Sequence, residues 1–143
     1  MTVTVRQMLR DKPQVFTVEP ASTVFEALEL MAEHNIGAVL VMSDGRIQGI
    51  MSERDYARKG ILQGKNSKDT AVAEIMTAPV ICVEPSFTAD RCMALMTERR
   101  IRHLPVVQDD QLLGIISIGD VVRAVVAQQR MLIDALESYI RTA

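Results

Sequence analysis

Two stretches, Gly114-Ile115-Ile116-Ser117-Ile118-Gly119-Asp120 and Gly49-Ile50-Met51-Ser52-Glu53-Arg54-Asp55, hold residues whose types and spacing could do chemistry. Each runs from a short apolar strand through a Ser, two variable residues and an Asp into a helical pattern. A Ser where a strand enters a helix offers its hydroxyl beside the helix's unsatisfied backbone N–H groups, which makes an anion site by construction. An Asp one turn further on accepts through two oxygens and suits a cis-diol such as that of a ribose. The apolar strand beside them could flank a purine ring. Together these features specify a nucleoside phosphate. The same Ser-x-x-Asp spacing is close to that of a capping box, which needs no ligand, and spacing alone leaves both readings open.

A second cluster is Glu98-Arg99-Arg100-Ile101-Arg102-His103-Leu104-Pro105. Arg99 and Arg100 read as a solvated charge run at a helix C-terminus, where the dipole favours cations. Arg102 and His103 fall just before an apolar strand. Arg102 can fork onto phosphate, and His103 can donate or accept. The matching place earlier in the chain is Asn35-Ile36-Gly37-Ala38, with no basic group, but Arg54 lies inside the first Ser-x-x-Asp turn. Arg54 reads as a phosphate arm or as an exposed first-turn residue. Lys12 is a weaker candidate and reads as a surface lysine.

The elements that must position these residues come in two copies. Laid over each other at an offset of 65 without a gap, residues 15–59 and 80–124 match at 16 of 45 positions, where composition alone would give roughly three. In the first copy, Val15–Val18 reads as a strand stopped by Pro20. Ser22 or Thr23 caps a helix over Val24–His34. Ala38–Met42 and Arg46–Met51 form a hairpin around Ser43-Asp44-Gly45, and Glu53 starts a helix to about Ile61. Leu62–Asp69 is a polar linker. The second copy repeats the order, with strand Val80–Val83, helix Thr88–Arg100, strands Leu104–Val107 and Leu112–Ser117, and a final helix from about Gly119 to Ile140. Short leading helices are expected at Val3–Leu9 and Val72–Met76. In the final helix Val122, Val125, Leu132, Leu136 and Tyr139 approach a three-four spacing interrupted by Gln129. The fold class is α/β (α+β): two strand–helix–strand–strand–helix units, related by a pseudo-twofold axis and sharing one core. The expected division is residues 1–66 with the leading helix, 67–127, and a helical extension over 128–143.

Apolar residues make up 48% and charged residues 24%, the net charge is −2, and aromatics are 3% with no Trp. That balance argues against nucleic-acid binding, which favours a basic face and stacking aromatics. Cys82 and Cys92 have neither metal-pair nor CxxC spacing and read as buried reduced thiols of a cytoplasmic protein. The N-terminus lacks signal-peptide architecture, and no apolar run approaches the about 20 residues of a membrane span. No nucleophile–base pair, metal-ligand cluster or phosphate-cradling Gly-rich loop stands out, so no catalytic residue is expected.

The paired copies resemble tandem CBS domains (the cystathionine β-synthase type), and the whole chain resembles a stand-alone bacterial CBS pair. The resemblance rests on Val-Glu-Pro after each first strand, on Ile101-Arg102-His103-Leu104-Pro105-Val106-Val107, and on the two Gly-h-h-Ser-x-x-Asp turns, h being apolar. It covers about Val5 to Val126. It implies a disc-like pair with two clefts for adenosine-containing ligands: AMP, ADP, ATP, NAD(H) or S-adenosylmethionine. Carried over by position, Asp120 would hold a ribose and Ser117 would lie near the ribose or phosphate. Ile115, Ile81 and Met76 would line the adenine slot, with Ile101, Arg102 and His103 on the other wall or at the phosphates. The other cleft would use Asp55, Ser52, Ile50, Phe16, Gly37 and Ala38. Ala38-Val39-Leu40 departs from His103-Leu104-Pro105, so the two clefts should differ in affinity or ligand. The implied function is a regulatory sensor that biases a protein partner in trans, commonly as a homodimer. An interaction module without ligand and a nucleotide-processing enzyme are the alternative classes.

Overall fold

The computed structural model describes residues 2–12 and 14–142. It is mixed α/β, and the chain divides into two compact units: Gln14–Val80, and Met1–Pro13 together with Ile81–Ala143. The unit over Gln14–Val80 holds β1 (Thr17–Val18), α2 (Val24–His34), β2 (Ala38–Ser43) and β3 (Arg46–Ser52). The other holds α1 (Val5–Met8), α4 (Ala89–Arg99), β4 (His103–Gln108), β5 (Gln111–Ser117) and the 25-residue α5 (Ile118–Thr142). A short α3 (Glu53–Asp55) lies in the first of these.

The two units are built alike because the sequence repeats. Thr23 and Thr88 accept the N–H groups of Glu26 and Arg91, each at 3.1 Å, and so cap α2 and α4. Both helices end on a left-handed residue, Asn35 at φ 52° and Arg100 at φ 55°. The hairpins β2–β3 and β4–β5 turn on Asp44-Gly45 and Asp109-Asp110, all at positive φ, as tight hairpin turns between right-twisted strands require. β1 pairs parallel to β2 with Val18 opposite Val41, and the isolated parallel bridge Val83–Val106 repeats that pairing 65 positions on. The second copy's first strand is thus reduced to one bridge, shorter than the expected Val80–Val83. The helix expected from Glu53 to Ile61 is α3 followed by a π-helical turn over Tyr56–Gly60 and a 3-10 turn over Ile61–Gln63, ended by Gly64 at φ 73°.

The compact units do not follow the repeat boundaries. The leading segment of each repeat packs with the other repeat. Val5 is wholly buried in a cluster with Leu104, Val106 and Ile116, while Val72 and Ile75 join Val24, Val39 and Met51. Backbone bonds fix the exchange: Val5 N–H donates to Phe87 O at 2.8 Å, and Ile50 and Thr77 exchange two bonds at 3.0 and 2.8 Å. The leading helix therefore packs with the elements of the second repeat. Each unit encloses its own cluster of buried apolar side chains. Cys92 is buried as expected and its thiol is pushed up to about 11 by burial, partly offset by Arg91. Cys82 is exposed, because its strand position points away from the cluster that buries its neighbour Val83.

A glycine in each hairpin admits the exchanged segment. A Cβ on Gly114 would lie 2.7 Å from Leu9 Cδ2, and one on Gly49 would lie 2.6 Å from Met76 Sδ and 3.0 Å from the Thr77 carbonyl oxygen. Leu9 can rotate, but the Thr77 carbonyl is held in its bridge with Ile50. Gly49→Ala is expected to cost about 1–3 kcal/mol, and more than Gly114→Ala, in chemical denaturation of the two variants.

Candidate functional site

Both Ser-x-x-Asp turns fold as capping boxes, because each opens a helix whose first N–H groups have no partner within it. Ser117 N–H donates to Asp120 Oδ2 at 2.8 Å and its hydroxyl lies 3.1 Å from the same oxygen, while Asp120 N–H returns to Ser117 Oγ at 3.3 Å. Ser52 and Asp55 repeat this at 2.9, 3.0 and 3.1 Å. The capping reading of the motif is therefore realised in both copies.

Each carboxylate also holds a partner from the exchanged segment. Lys12 Nζ donates to Asp120 Oδ2 at 2.7 Å, and Arg123 to Oδ1 at 2.8 Å. Thr77 Oγ1 donates to Asp55 Oδ1 at 2.9 Å, and Lys59 Nζ lies 3.3 Å from that oxygen. Lys12 and Thr77 are 65 positions apart, the repeat offset, so the two copies use the same place in the fold with different chemistry. The carboxylate of Asp120 faces two cations. That of Asp55 is 8% exposed as a residue and faces a hydroxyl and one lysine.

Burial works against ionisation of Asp120, but the hydrogen bonds from Lys12 and Ser117 and the Lys12 charge outweigh it and hold the carboxyl below its ordinary range. The stabilisation this gives is present above the ordinary value of 3.8 and is lost as pH falls through the depressed one. Lys12→Ala removes a hydrogen bond and a charge, so the melting temperature is expected to be displaced downward above about pH 4 and to converge on the parent's at lower pH. Thermal melts between about pH 2 and 6 read that displacement.

The strand starts lie beside these turns. His103 pairs with Ser117 across β4–β5, and Ala38 pairs with Ser52 across β2–β3. Ile118 N–H donates to Arg102 O at 2.8 Å, and Glu53 N–H donates to Gly37 O at 3.1 Å. Arg102 and His103 thus adjoin the Ser117–Asp120 turn, and Gly37 and Ala38 adjoin the Ser52–Asp55 turn. The Arg102 side chain is exposed and His103 half-buried. Ile115 lies opposite Pro105, while Ile81 and Ile101 pack against the cluster of the same unit. Ile50 lies opposite Leu40 and bridges Thr77. Phe16 stacks on His34 at a centroid distance of 3.6 Å. Arg54 is exposed in the first turn of α3.

Met76 is expected from the resemblance to line the slot of Asp120. It belongs to the unit of Asp55, against Gly49, and Leu9 takes the corresponding place against Gly114 in the unit of Asp120. Sequence reasoning also passed over Thr77 and gave Lys12 little weight. The signal was the offset itself: both residues occupy one repeat position, a few residues before the 45-residue match.

Two repeated α/β units, each presenting a strand–turn–helix with a capping carboxylate, define a tandem-repeat module. Residues 5–60 and 72–127 each match the CBS domain, and the chain belongs to that family. A CBS domain-containing protein of Arabidopsis thaliana, the mitochondrial CBSX3, is 48% identical over 124 residues, 83% of this chain and 60% of the relative. The chain thus spans less than two thirds of that relative's length. A structure of a Burkholderia ambifaria MC40-6 protein with CBS domains superposes with a TM-score of 0.85 at 53% identity, covering 89% of this chain and 96% of the other. The CBS domain pair of MJ0100, in complex with 5-methylthioadenosine and S-adenosyl-L-methionine, gives a TM-score of 0.79 at 25% identity, covering 90% and 99%. A hexameric CBS-CP12 protein from bloom-forming cyanobacteria gives 0.77 at 30% identity, covering 85% and 71%. Among the described residues, no helix is long and apolar enough to cross a membrane, and no group of three or more His, Cys, Asp and Glu is placed to hold a metal ion.

Proposed function

We propose that this chain is a regulatory module that binds an adenosine-containing ligand at its Ser-x-x-Asp turns and signals to a protein partner in trans. The observation that carries the reading is the duplicated turn, with strand-start residues beside each carboxylate. The MJ0100 pair, which shares the fold and is in complex with two adenosine compounds, supports the ligand class. In this reading Asp120 and Asp55 take the ribose hydroxyls, with Ser117 and Ser52 beside them. Ile115, Ile81, Ile101 and, at the other turn, Ile50, Phe16, Gly37 and Ala38 flank the base. Leu9 rather than Met76 serves the Asp120 slot, and Met76 serves the Asp55 slot.

Arg102, His103 and Arg54 are the proposed phosphate groups. Lys12 and Arg123 already pair with Asp120, so a ribose competes with them there. A displaced lysine is then available to a phosphate, which favours AMP, ADP, ATP or NAD(H) over an uncharged nucleoside at that turn. At Asp55 the displaced group is Thr77 or Lys59, so the two turns are expected to differ in affinity. Ligand changes the output only through unequal affinity for two arrangements of the module. The proposed setting is the cytoplasm, the proposed state a homodimer, and no catalytic step is assigned. Isothermal titration of the purified chain with AMP, ADP, ATP, NAD, NADH and S-adenosylmethionine tests the reading, and heat from none of them would remove it.

A further inference from the structure

The second half of α5 does not take part in its own unit. Val121 and Ala124 are the last buried positions of the helix, and Val125 the last residue packed on the cluster. Gln128 is tied back, accepting from Val3 N–H at 2.7 Å and donating to Asp90 at 3.3 Å. From Gln129 to Thr142 every residue is exposed. Within that span Met131, Leu132, Ile133, Leu136, Tyr139 and Ile140 are 42–73% exposed. Leu132 and Tyr139 are seven apart, as are Val126, Ile133 and Ile140 in succession, and Leu136 fills the middle. At about 100° per residue these positions form one stripe roughly 100–140° wide, the width of a core-facing helix surface. A free stretch of this length is marginal as a helix in water and gains stability from a covered face.

The charges beside the stripe identify what covers it. One flank carries Arg130 and Glu137, seven residues apart; the other carries Gln128, Ala135 and Thr142, with no charge. In an antiparallel pair of identical helices each flank meets itself, so Arg130 of one copy faces Glu137 of the other, twice, about a twofold axis near Ile133 and Asp134. In a parallel pair the charged flank meets the uncharged one and nothing is matched. Glu137 also lies 3.7 Å from Arg141 in its own helix, but both groups are more than half exposed and such a pair is readily exchanged.

We infer that the stripe along residues 126–140 of α5 is a self-association surface, on which the same helix of a second copy of this chain docks antiparallel. This names the surface for the homodimer proposed above, and it is tested without ligand, so its failure leaves the ligand reading untouched. Sedimentation equilibrium of the full chain is expected to show a dimer, and Leu136→Asp, at an exposed position, a folded monomer. Arg130→Glu and Glu137→Arg should each weaken the dimer by roughly tenfold, and the double variant should restore it. A chain monomeric at every concentration, a dimer unaffected by Leu136→Asp, or a double variant no better than the single ones would overturn the inference. So would a monomer that cosediments with anionic phospholipid vesicles through the same stripe, which would assign the stripe to a membrane surface.

Discussion

Asp55→Ala is expected to destabilise the chain by about 2–3 kcal/mol, read as a fall of several degrees in melting temperature. The substitution removes the carboxylate half of the α3 capping box, whose N-cap is Ser52, and strands three donors at once: Ser52 N–H, the Ser52 hydroxyl and the Thr77 hydroxyl. Asp55 is 8% exposed, so water replaces these contacts poorly. Lys59 adds little, because its side chain is 47% exposed and its charge is screened. Asp55→Asn keeps an acceptor for Ser52 N–H and should lose less than half as much. Circular dichroism melts of the two variants beside the parent protein measure the difference. Equal stability of all three would mean that the capping box contributes nothing to the fold, and the carboxylate would then have no structural role to set beside a ligand.

The second large effect is stabilisation by ligand. A compound that binds only the folded chain, at 100 times its dissociation constant, contributes roughly 2.7 kcal/mol. Because Asp55 and Asp120 both close capping boxes, their variants melt lower whether or not they bind anything. The informative quantity is the increment each variant gains from ligand, not its melting temperature. Asp120→Ala is expected to lose the increment from its turn, and Asp55→Ala the increment from the other. If one turn dominates, one variant loses nearly all of it.

Much of this arrangement was legible in the residues. The helix Val24–His34 has the bounds that its apolar spacing and Thr23 indicate, and both hairpins form around their Asp-containing turns. The Ser-x-x-Asp motif displayed both of its readings, and its capping geometry is now explicit. The exchange of leading segments was not legible. A repeat states that two copies are alike, but not which copy receives the segment between them, and Val5 or Val72 could complete either cluster. Lys12, a lysine before a proline, resembles any surface lysine. The short first strand of the second copy was missed because Val80–Val83 has strand composition, while only Val83 finds a partner strand at Val106. Exposure of Cys82 follows from the same strand alternation that buries Val83.

The most direct test of the central claim is a thermal-shift series on the parent chain, Asp55→Ala and Asp120→Ala, first stripped of co-purified nucleotide. Each is melted alone and with AMP, ADP, ATP, NAD, NADH and S-adenosylmethionine. The account predicts a rise of several degrees in the parent with at least one phosphate-bearing adenosine ligand, and loss of that rise in one or both variants. No rise with any compound, or a rise of the same size in both variants, would contradict it.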